Sequence, residues 1–188
     1  MIRDRILPVV PNLISLGRLM AVPVAVWLIL SDRFTAGFWL FIAAGVSDGI
    51  DGFIARRFGL RTTIGSYLDA IADKALLVAV YVALGAQGYL PAWLVILVVF
   101  RDLLIVGGAI LYRMVAGAFD MRPLLISKVN TAAQIALAGL VLAELGLGLA
   151  YPPVTILLID LVGATTLLSG AAYVGIWGWR IARMEDKP

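Results

Sequence analysis

The sequence of 188 residues contains neither cysteine nor histidine. It therefore has no disulfide, no thiolate nucleophile, no imidazole base and none of the usual zinc ligand sets, so any acid-base chemistry falls mainly to carboxylates. Charged residues are also scarce, at 14%, where soluble domains carry about 25%. The basic residues are scattered along loop ends without the aromatic-interleaved patch typical of nucleic-acid binding, so no nucleic-acid partner is expected.

Apolar residues are abundant instead, at 62% of the chain, and the mean hydropathy is +1.01. A membrane-spanning helix needs about 20 apolar residues. The apolar runs predict an all-α integral membrane protein with six transmembrane helices, preceded by a short interfacial N-terminal segment and without a cleaved signal peptide. We expect one membrane domain over residues 1–188. The predicted spans cover residues 12–30, 34–58, 62–86, 90–114, 125–146 and 153–179.

Lysine and arginine are concentrated in some loops and absent from others. They occur at the amino terminus, in the loops near Arg57 and Arg113, and in the carboxyl-terminal tail, whereas residues 87–91 and 147–152 contain none. Basic loops stay in the cytoplasm, so both termini should be cytoplasmic. In a bacterium this would place the protein in the inner (cytoplasmic) membrane, in contact with anionic lipids.

Four aspartates interrupt the apolar sequence between residues 48 and 73. Asp48 and Asp51 lie three residues apart and Asp69 and Asp73 four apart, so each pair shares one face of a helix. An aspartate at the centre of a membrane helix costs ~2.5 to 3.5 kcal/mol on insertion scales, so four of them call for compensating cations. Ligand sets made only of oxygen favour Mg²⁺ or Mn²⁺.

The residues between the two aspartate pairs suit a phosphate-bearing ligand. Gly52 and Gly65 would let a bulky ligand approach the backbone, and Arg56 is a permanent cation matched to phosphate. The segment fits the pattern D-x2-D-G-x2-A-R-x8-G-x3-D-x3-D at every fixed position. By this motif the chain resembles the CDP-alcohol phosphatidyltransferases.

The resemblance implies a reaction and a set of site residues. Two metal ions would be held by Asp48, Asp51, Asp69 and Asp73, and Asp73 would also act as the catalytic base, taking the proton from the acceptor hydroxyl while CMP leaves. Nucleotide contacts are expected at Asn12, Asp48, Gly52, Arg56, Gly65 and Ser66, with Asn12 also capping the first helix. Substrate contacts are expected at Arg18, Arg101, Lys128 and Asn130.

Several of these polar residues also have a purely structural explanation. Arg18 would reach the interface by snorkelling, and Lys74 would neutralise an aspartate. Arg101 would form an ion pair with Asp102, and Asn130 would join neighbouring helices. Asp160 is expected to be buried in the sixth span, and we assign it no function.

The acceptor is indicated by the Arg101-Asp102 pair and by residues 126–131, ISKVNT, which resemble the eukaryotic-type cardiolipin synthases. That resemblance implies CDP-diacylglycerol as donor and phosphatidylglycerol as acceptor, and we expect a homodimer. The alternative is a phosphatidylglycerophosphate synthase that uses glycerol 3-phosphate. Both groups usually have proline after the third aspartate, where this chain has Ala70. A small cation transporter is a further alternative, but the polar residues gather toward one side of the predicted spans.

Overall fold

In a computed structural model, the chain forms six helices over the residues that the structure describes. These are residues 9–58, 63–116 and 124–185 for the backbone, and 16–50, 72–108 and 124–176 for the side chains. The helices are α1 Val9–Leu30, α2 Phe34–Phe58, α3 Thr63–Ala86, α4 Ala92–Ala116, α5 Leu125–Leu147 and α6 Pro152–Glu185. Each predicted span matches one helix, so the all-α prediction is confirmed over the described backbone.

Two helix ends differ from the prediction. α1 begins at Val9, so Asn12 lies inside the helix and the prediction that it caps the helix is wrong. Pro11 permits the earlier start, because proline is tolerated in a first turn whose N–H groups have no intrahelical partner. α6 continues to Glu185, past the predicted end at residue 179. The last residues, RIARME, are mostly good helix formers, so the helix outlasts the apolar run.

The helices belong to two compact units. The first comprises Met1–Leu90 and Ala138–Tyr151, and the second comprises Pro91–Leu137 and Pro152–Pro188. Within the first unit α1 packs against α3 and α2, and within the second α4 packs against α6. α5 therefore contributes its beginning to the second unit and its end to the first.

The core of the first unit is built from apolar side chains on the facing sides of α1 and α3. Ile29, Val80, Tyr81 and Leu84 are completely buried. They recur at helical spacing, which places them on the inner face of their helices. The same face of α1 carries Arg18 further toward the amino terminus, and this helix pair therefore fixes the position of the arginine.

A second close contact in the first unit joins the end of α5 to the start of α2. The Thr35 hydroxyl donates a hydrogen bond to the Gly146 carbonyl oxygen at 2.6 Å. A Cβ atom added to Gly146 would lie 2.7 Å from the Thr35 nitrogen and 2.8 Å from the Phe34 carbonyl carbon. Only glycine fits at this crossing, as expected where small residues let helix backbones approach each other.

The second unit has its own apolar core, which includes Leu94, Val98 and Val162. Gly163 of α6 lies beneath the Trp93 indole, where an added Cβ would come within 3.0 Å of the ring. Asp160 lies on the opposite face of α6 and is exposed, so the prediction that it is buried is wrong. The reason is helical phase, because Asp160 is two residues from the buried Val162 and so points away from the core.

Apolar side chains also cover the outer surface of both units. Met20, Ile96, Leu103 and Leu125 are each at least 66% exposed, which is the pattern of a chain surrounded by lipid rather than water. Among the described residues, Leu125–Leu147 and Pro152–Ile176 are long and apolar enough to cross a membrane, and Leu16–Leu30 and Phe34–Ile50 are shorter apolar helices. Over the described residues, two of the six predicted spans are thus long and apolar enough to cross a membrane.

Candidate active site

Among the described side chains, three helices of the first unit contribute charged groups to a single cluster. Arg18 of α1 donates from Nη1 to Oδ1 of Asp48 on α2 at 2.9 Å, and the same nitrogen is hydrogen-bonded to Oδ1 of Asp73 on α3. These carboxylates are the first and the last of the four aspartates in the sequence motif. The structure therefore brings the two ends of the motif together at one guanidinium group.

Helical spacing explains how each side chain reaches the cluster. Asp48 lies seven residues after the buried Phe41 and four after the buried Ala44, so it continues the inner face of α2. Asp73 stands directly beside the completely buried Ala72 of α3. The packing of α1 against both helices then places Arg18 between them.

The cluster is buried at its centre and open at its edge. The Arg18 side chain is 2% exposed, whereas those of Asp48 and Asp73 are 40% and 41% exposed. A buried guanidinium is stable only when it is paired and hydrogen-bonded, and the two carboxylates supply that pairing. Their exposed parts remain accessible to a ligand that approaches from outside the helix bundle.

The donor chemistry of the cluster suits a hard divalent cation. Carboxylate oxygens from two helices already converge on one positive centre, and oxygen is the ligand atom that Mg²⁺ and Mn²⁺ prefer. Within the described side chains there is no group of three or more acidic residues. The side chains of Asp51 and Asp69 lie outside that set, so two of the four predicted ligands are brought together here.

Most of the predicted nucleotide contacts also lie outside the described side chains. α1 holds Asn12, α2 holds Gly52 and Arg56, and α3 holds Gly65 and Ser66. The same three helices contribute Arg18, Asp48 and Asp73. The nucleotide-binding roles of the five residues stay predictions.

The predicted substrate residue Arg101 belongs to a polar network inside the second unit. It is 2% exposed, and its Nη1 donates to Asp102 Oδ1 at 2.7 Å. Its Nη2 donates to the hydroxyls of Ser127 on α5 and Ser169 on α6, both at 2.6 Å. The structural explanation of Arg101, an ion pair with its neighbour, is thus present, and a contact between Arg101 and substrate stays a prediction.

Asn130 and Lys128, the other substrate contacts predicted on α5, have opposite environments. Asn130 is completely buried, and its Oδ1 lies 2.8 Å from the Thr165 hydroxyl and 2.9 Å from the Thr166 hydroxyl of α6. Among the described residues its Nδ2 has no hydrogen-bond partner. Lys128 is exposed. The interhelical explanation of Asn130 is therefore present as well.

The hydroxyl residues of α6 that form hydrogen bonds with Arg101 and Asn130 were not predicted from the sequence. Thr165, Thr166 and Ser169 are all buried. They follow the buried Val162 at spacings of three, four and seven residues, which is the periodicity of one helix face. This helical spacing is visible in the sequence and could have predicted a buried polar face on α6.

Comparison with known proteins reveals clear relatives. The family model described as CDP-alcohol phosphatidyltransferase matches residues 8–176. A chloroplastic CDP-diacylglycerol--glycerol-3-phosphate 3-phosphatidyltransferase 1 from Oryza sativa subsp. japonica is 37% identical over 91% of this chain and 57% of its own length. A probable cardiolipin synthase (CMP-forming) from Drosophila melanogaster is 33% identical over 88% of this chain and 56% of its own length.

A third relative is similar in length to this chain. It is the CDP-diacylglycerol--glycerol-3-phosphate 3-phosphatidyltransferase of Bacillus subtilis (strain 168), 31% identical over 87% of this chain and 92% of its own length. By contrast, the chain spans little more than half the length of the rice and fruit fly proteins. The rice and Bacillus relatives are named for glycerol 3-phosphate, and the fruit fly relative is named for cardiolipin.

Proposed function

Because the chain belongs to the CDP-alcohol phosphatidyltransferase family, we propose that it transfers a phosphatidyl group from CDP-diacylglycerol to the hydroxyl of phosphatidylglycerol, giving cardiolipin and CMP. The observation that carries the proposal is the convergence of Asp48 and Asp73 on one cationic centre. This geometry gathers acidic ligands from two helices at a partly exposed site. Such an arrangement suits a reaction at a diphosphate.

The family generally depends on divalent metal ions, and the donor set of the cluster fits them. Asp48 and Asp73, together with Asp51 and Asp69 of the same motif, would hold two Mg²⁺ or Mn²⁺ ions. When bound, the ions neutralise the charge of the diphosphate and of the departing CMP. The nucleotide itself would be held by Asn12, Asp48, Gly52, Arg56, Gly65 and Ser66.

Asp73 serves as the general base in this proposal. Its carboxylate is 41% exposed, so an acceptor hydroxyl can reach it. A carboxylate oxygen of Asp73 takes the hydroxyl proton while the acceptor oxygen forms its bond to the phosphorus that bears the diacylglycerol. The bond from that phosphorus to the CMP oxygen breaks, and CMP leaves with the electron pair. Arg18 supplies positive charge beside the diphosphate.

The choice of phosphatidylglycerol as acceptor is supported by charge. Glycerol 3-phosphate is doubly charged and needs several cations, whereas phosphatidylglycerol carries one negative charge. Arg101, one of the proposed acceptor contacts together with Lys128 and Asn130, is already neutralised by Asp102 at 2.7 Å. Arg101 therefore offers an acceptor less uncompensated positive charge, which suits the singly charged lipid better. The ISKVNT segment and the fruit fly relative also favour this choice.

The second candidate is a phosphatidylglycerophosphate synthase with glycerol 3-phosphate as acceptor. It is favoured by the rice relative, which has the higher identity of the two eukaryotic proteins described above, and by the Bacillus relative, which matches nearly its full length. The chemistry at Asp73 would be the same for both acceptors. Only the contacts to the acceptor would differ.

The membrane setting follows from the lipid substrates and the apolar surface. Two described helices that can cross a membrane, in a family that acts on membrane lipids, indicate a membrane protein. The finer proposal is six spans forming one domain, both termini in the cytoplasm, and a homodimer. The basic residues of alternate loops support the orientation.

The test supplies purified protein with Mg²⁺ or Mn²⁺, CDP-diacylglycerol and one acceptor at a time, and identifies the lipid product by mass. We expect cardiolipin and CMP with phosphatidylglycerol. The Asp73→Asn variant is the control for non-enzymatic product. A product formed only with glycerol 3-phosphate would replace the proposed acceptor by the second candidate, and no CMP with either acceptor would overturn the proposed function.

A further inference from the structure

Arg18 and Arg101 are both buried, but they contact different groups. Arg101 meets one carboxylate and two serine hydroxyls. Arg18 donates from Nη1 to two described carboxylates, which come from positions 30 and 55 residues away in the chain. The structure thus places a permanent cation at the point where the first and last aspartates of the motif converge.

That point has the properties of a cation site. Two carboxylates side by side repel each other, and a shared cation removes the repulsion. Arginine is charged at every physiological pH, and its planar guanidinium holds carboxylates in fixed directions. The side chain is also almost fully buried, which limits the other positions that it can take. Asp48 and Asp73 are thereby held in place by α1.

We propose that Arg18 is an internal counter-cation that holds Asp48 and Asp73 together and that a divalent metal ion must displace from between them. The inference rests on the proposed function in taking these two aspartates as metal ligands. It makes Arg18 a positioning residue that acts on the acidic ligands, in addition to any contact with substrate. Arg18 then lowers the affinity of the protein for metal when no substrate is bound.

Substrate relieves this competition. The diphosphate of a CDP-linked lipid offers the guanidinium a second anion, so Arg18 can release the carboxylates when metal and diphosphate arrive together. Metal and nucleotide should consequently favour each other's binding, and part of that coupling should pass through Arg18. The acidic site would bind metal weakly until its substrate is present.

The experiment measures Mn²⁺ binding to purified protein in detergent, without nucleotide, by electron paramagnetic resonance. Arg18→Gln should bind Mn²⁺ about tenfold more tightly or better. The repulsion between a unit charge and a neighbouring divalent ion has an effect of this order even at the dielectric of water. Arg18→Lys keeps the charge and should bind about as the unaltered protein does. Arg33→Gln removes one positive charge from the loop after α1 and should leave Mn²⁺ binding unchanged.

Unchanged or weaker Mn²⁺ binding in Arg18→Gln would overturn the inference, because a merely structural arginine predicts that direction. Absence of Mn²⁺ binding in every protein would overturn both the inference and the metal ligands of the proposed function. The acceptor assay is a separate test. If Mn²⁺ binding changes in Arg18→Gln but the unaltered protein releases no CMP, the inference stands and the proposed reaction is contradicted.

A second measurement needs no substitution that alters the charge of the site. In unaltered protein labelled with ¹⁵N-arginine, the Arg18 guanidinium signal is identified by its loss in Arg18→Lys. Saturating Mg²⁺ should shift or broaden that signal as the guanidinium leaves the carboxylates. A signal that does not respond to Mg²⁺ would overturn the inference even if Arg18→Gln fails to fold.

Discussion

Replacement of Gly146 by alanine tests a close helix contact in the first unit. The added Cβ would lie 2.7 Å from the Thr35 nitrogen and 2.8 Å from the carbonyl carbon and oxygen of Phe34. All three are backbone atoms, which cannot rotate away as a side chain can. The end of α5 and the start of α2 must therefore separate, and the 2.6 Å hydrogen bond from Thr35 to the Gly146 carbonyl stretches with them.

The magnitude follows from three terms. Overpacking of a tight contact costs about 1 to 3 kcal/mol, and weakening the Thr35 hydrogen bond costs up to about 1 kcal/mol. The higher helix propensity of alanine stabilises the folded variant by about 1 kcal/mol. We expect Gly146→Ala to lower the free energy of unfolding by up to about 3 kcal/mol.

Gly139→Ala provides the matched control on the same helix. Its added Cβ would meet only the Phe41 ring, at an ordinary 3.8 Å, so this variant should gain the propensity of alanine without strain. Unfolding of both variants is followed by circular dichroism during titration with sodium dodecyl sulfate. Equal stability of Gly146→Ala and Gly139→Ala would refute the close crossing of α2 and α5.

Three further predictions address the site, the second unit and the topology. Asp73→Asn should reduce CMP release by ~10² to 10⁴ through loss of the base, and near-normal turnover would refute that role. Asp102→Asn leaves the buried Arg101 uncompensated and should lower the free energy of unfolding by about 3 to 5 kcal/mol in the same titration. Unaltered stability would contradict a stabilising role for this ion pair. Reporter fusions at Gly88 and Pro188 should lie on opposite sides of the membrane, and signals on one side would overturn the orientation.

The sequence predicted helix positions well where apolar runs and helices end together. Phe34–Phe58 was predicted and observed with the same bounds. The prediction failed at the start of α1, where proline is tolerated in the first turn of the helix, and at the end of α6, where residues that favour a helix continue beyond the apolar run. Asp160 was misplaced because a position within a span was taken as burial, while the phase of α6 turns that residue outward.

The site could be predicted in part. Spacing and motif indicated that Asp48 and Asp73 act together, and the structure brings both to one atom. The partner they share could not be predicted, since Arg18 is 30 residues from one and 55 from the other and no local pattern links such distant positions. The pairing depends on how α1 packs between α2 and α3, which only tertiary structure determines.

Arg101 and Asp102 are neighbours in the chain, which matters while the protein is being made. Ser127 and Ser169 follow Arg101 by 26 and 68 residues, so α4 is synthesised before either serine. A lone arginine or aspartate at the centre of a membrane helix costs ~2.5 to 3.5 kcal/mol at insertion, but the partner at 2.7 Å lies in the same helix and is present from the start. In the proposed membrane setting, the nascent helix enters the bilayer with its charges neutralised, and the two serines complete the hydrogen bonds once α5 and α6 have followed.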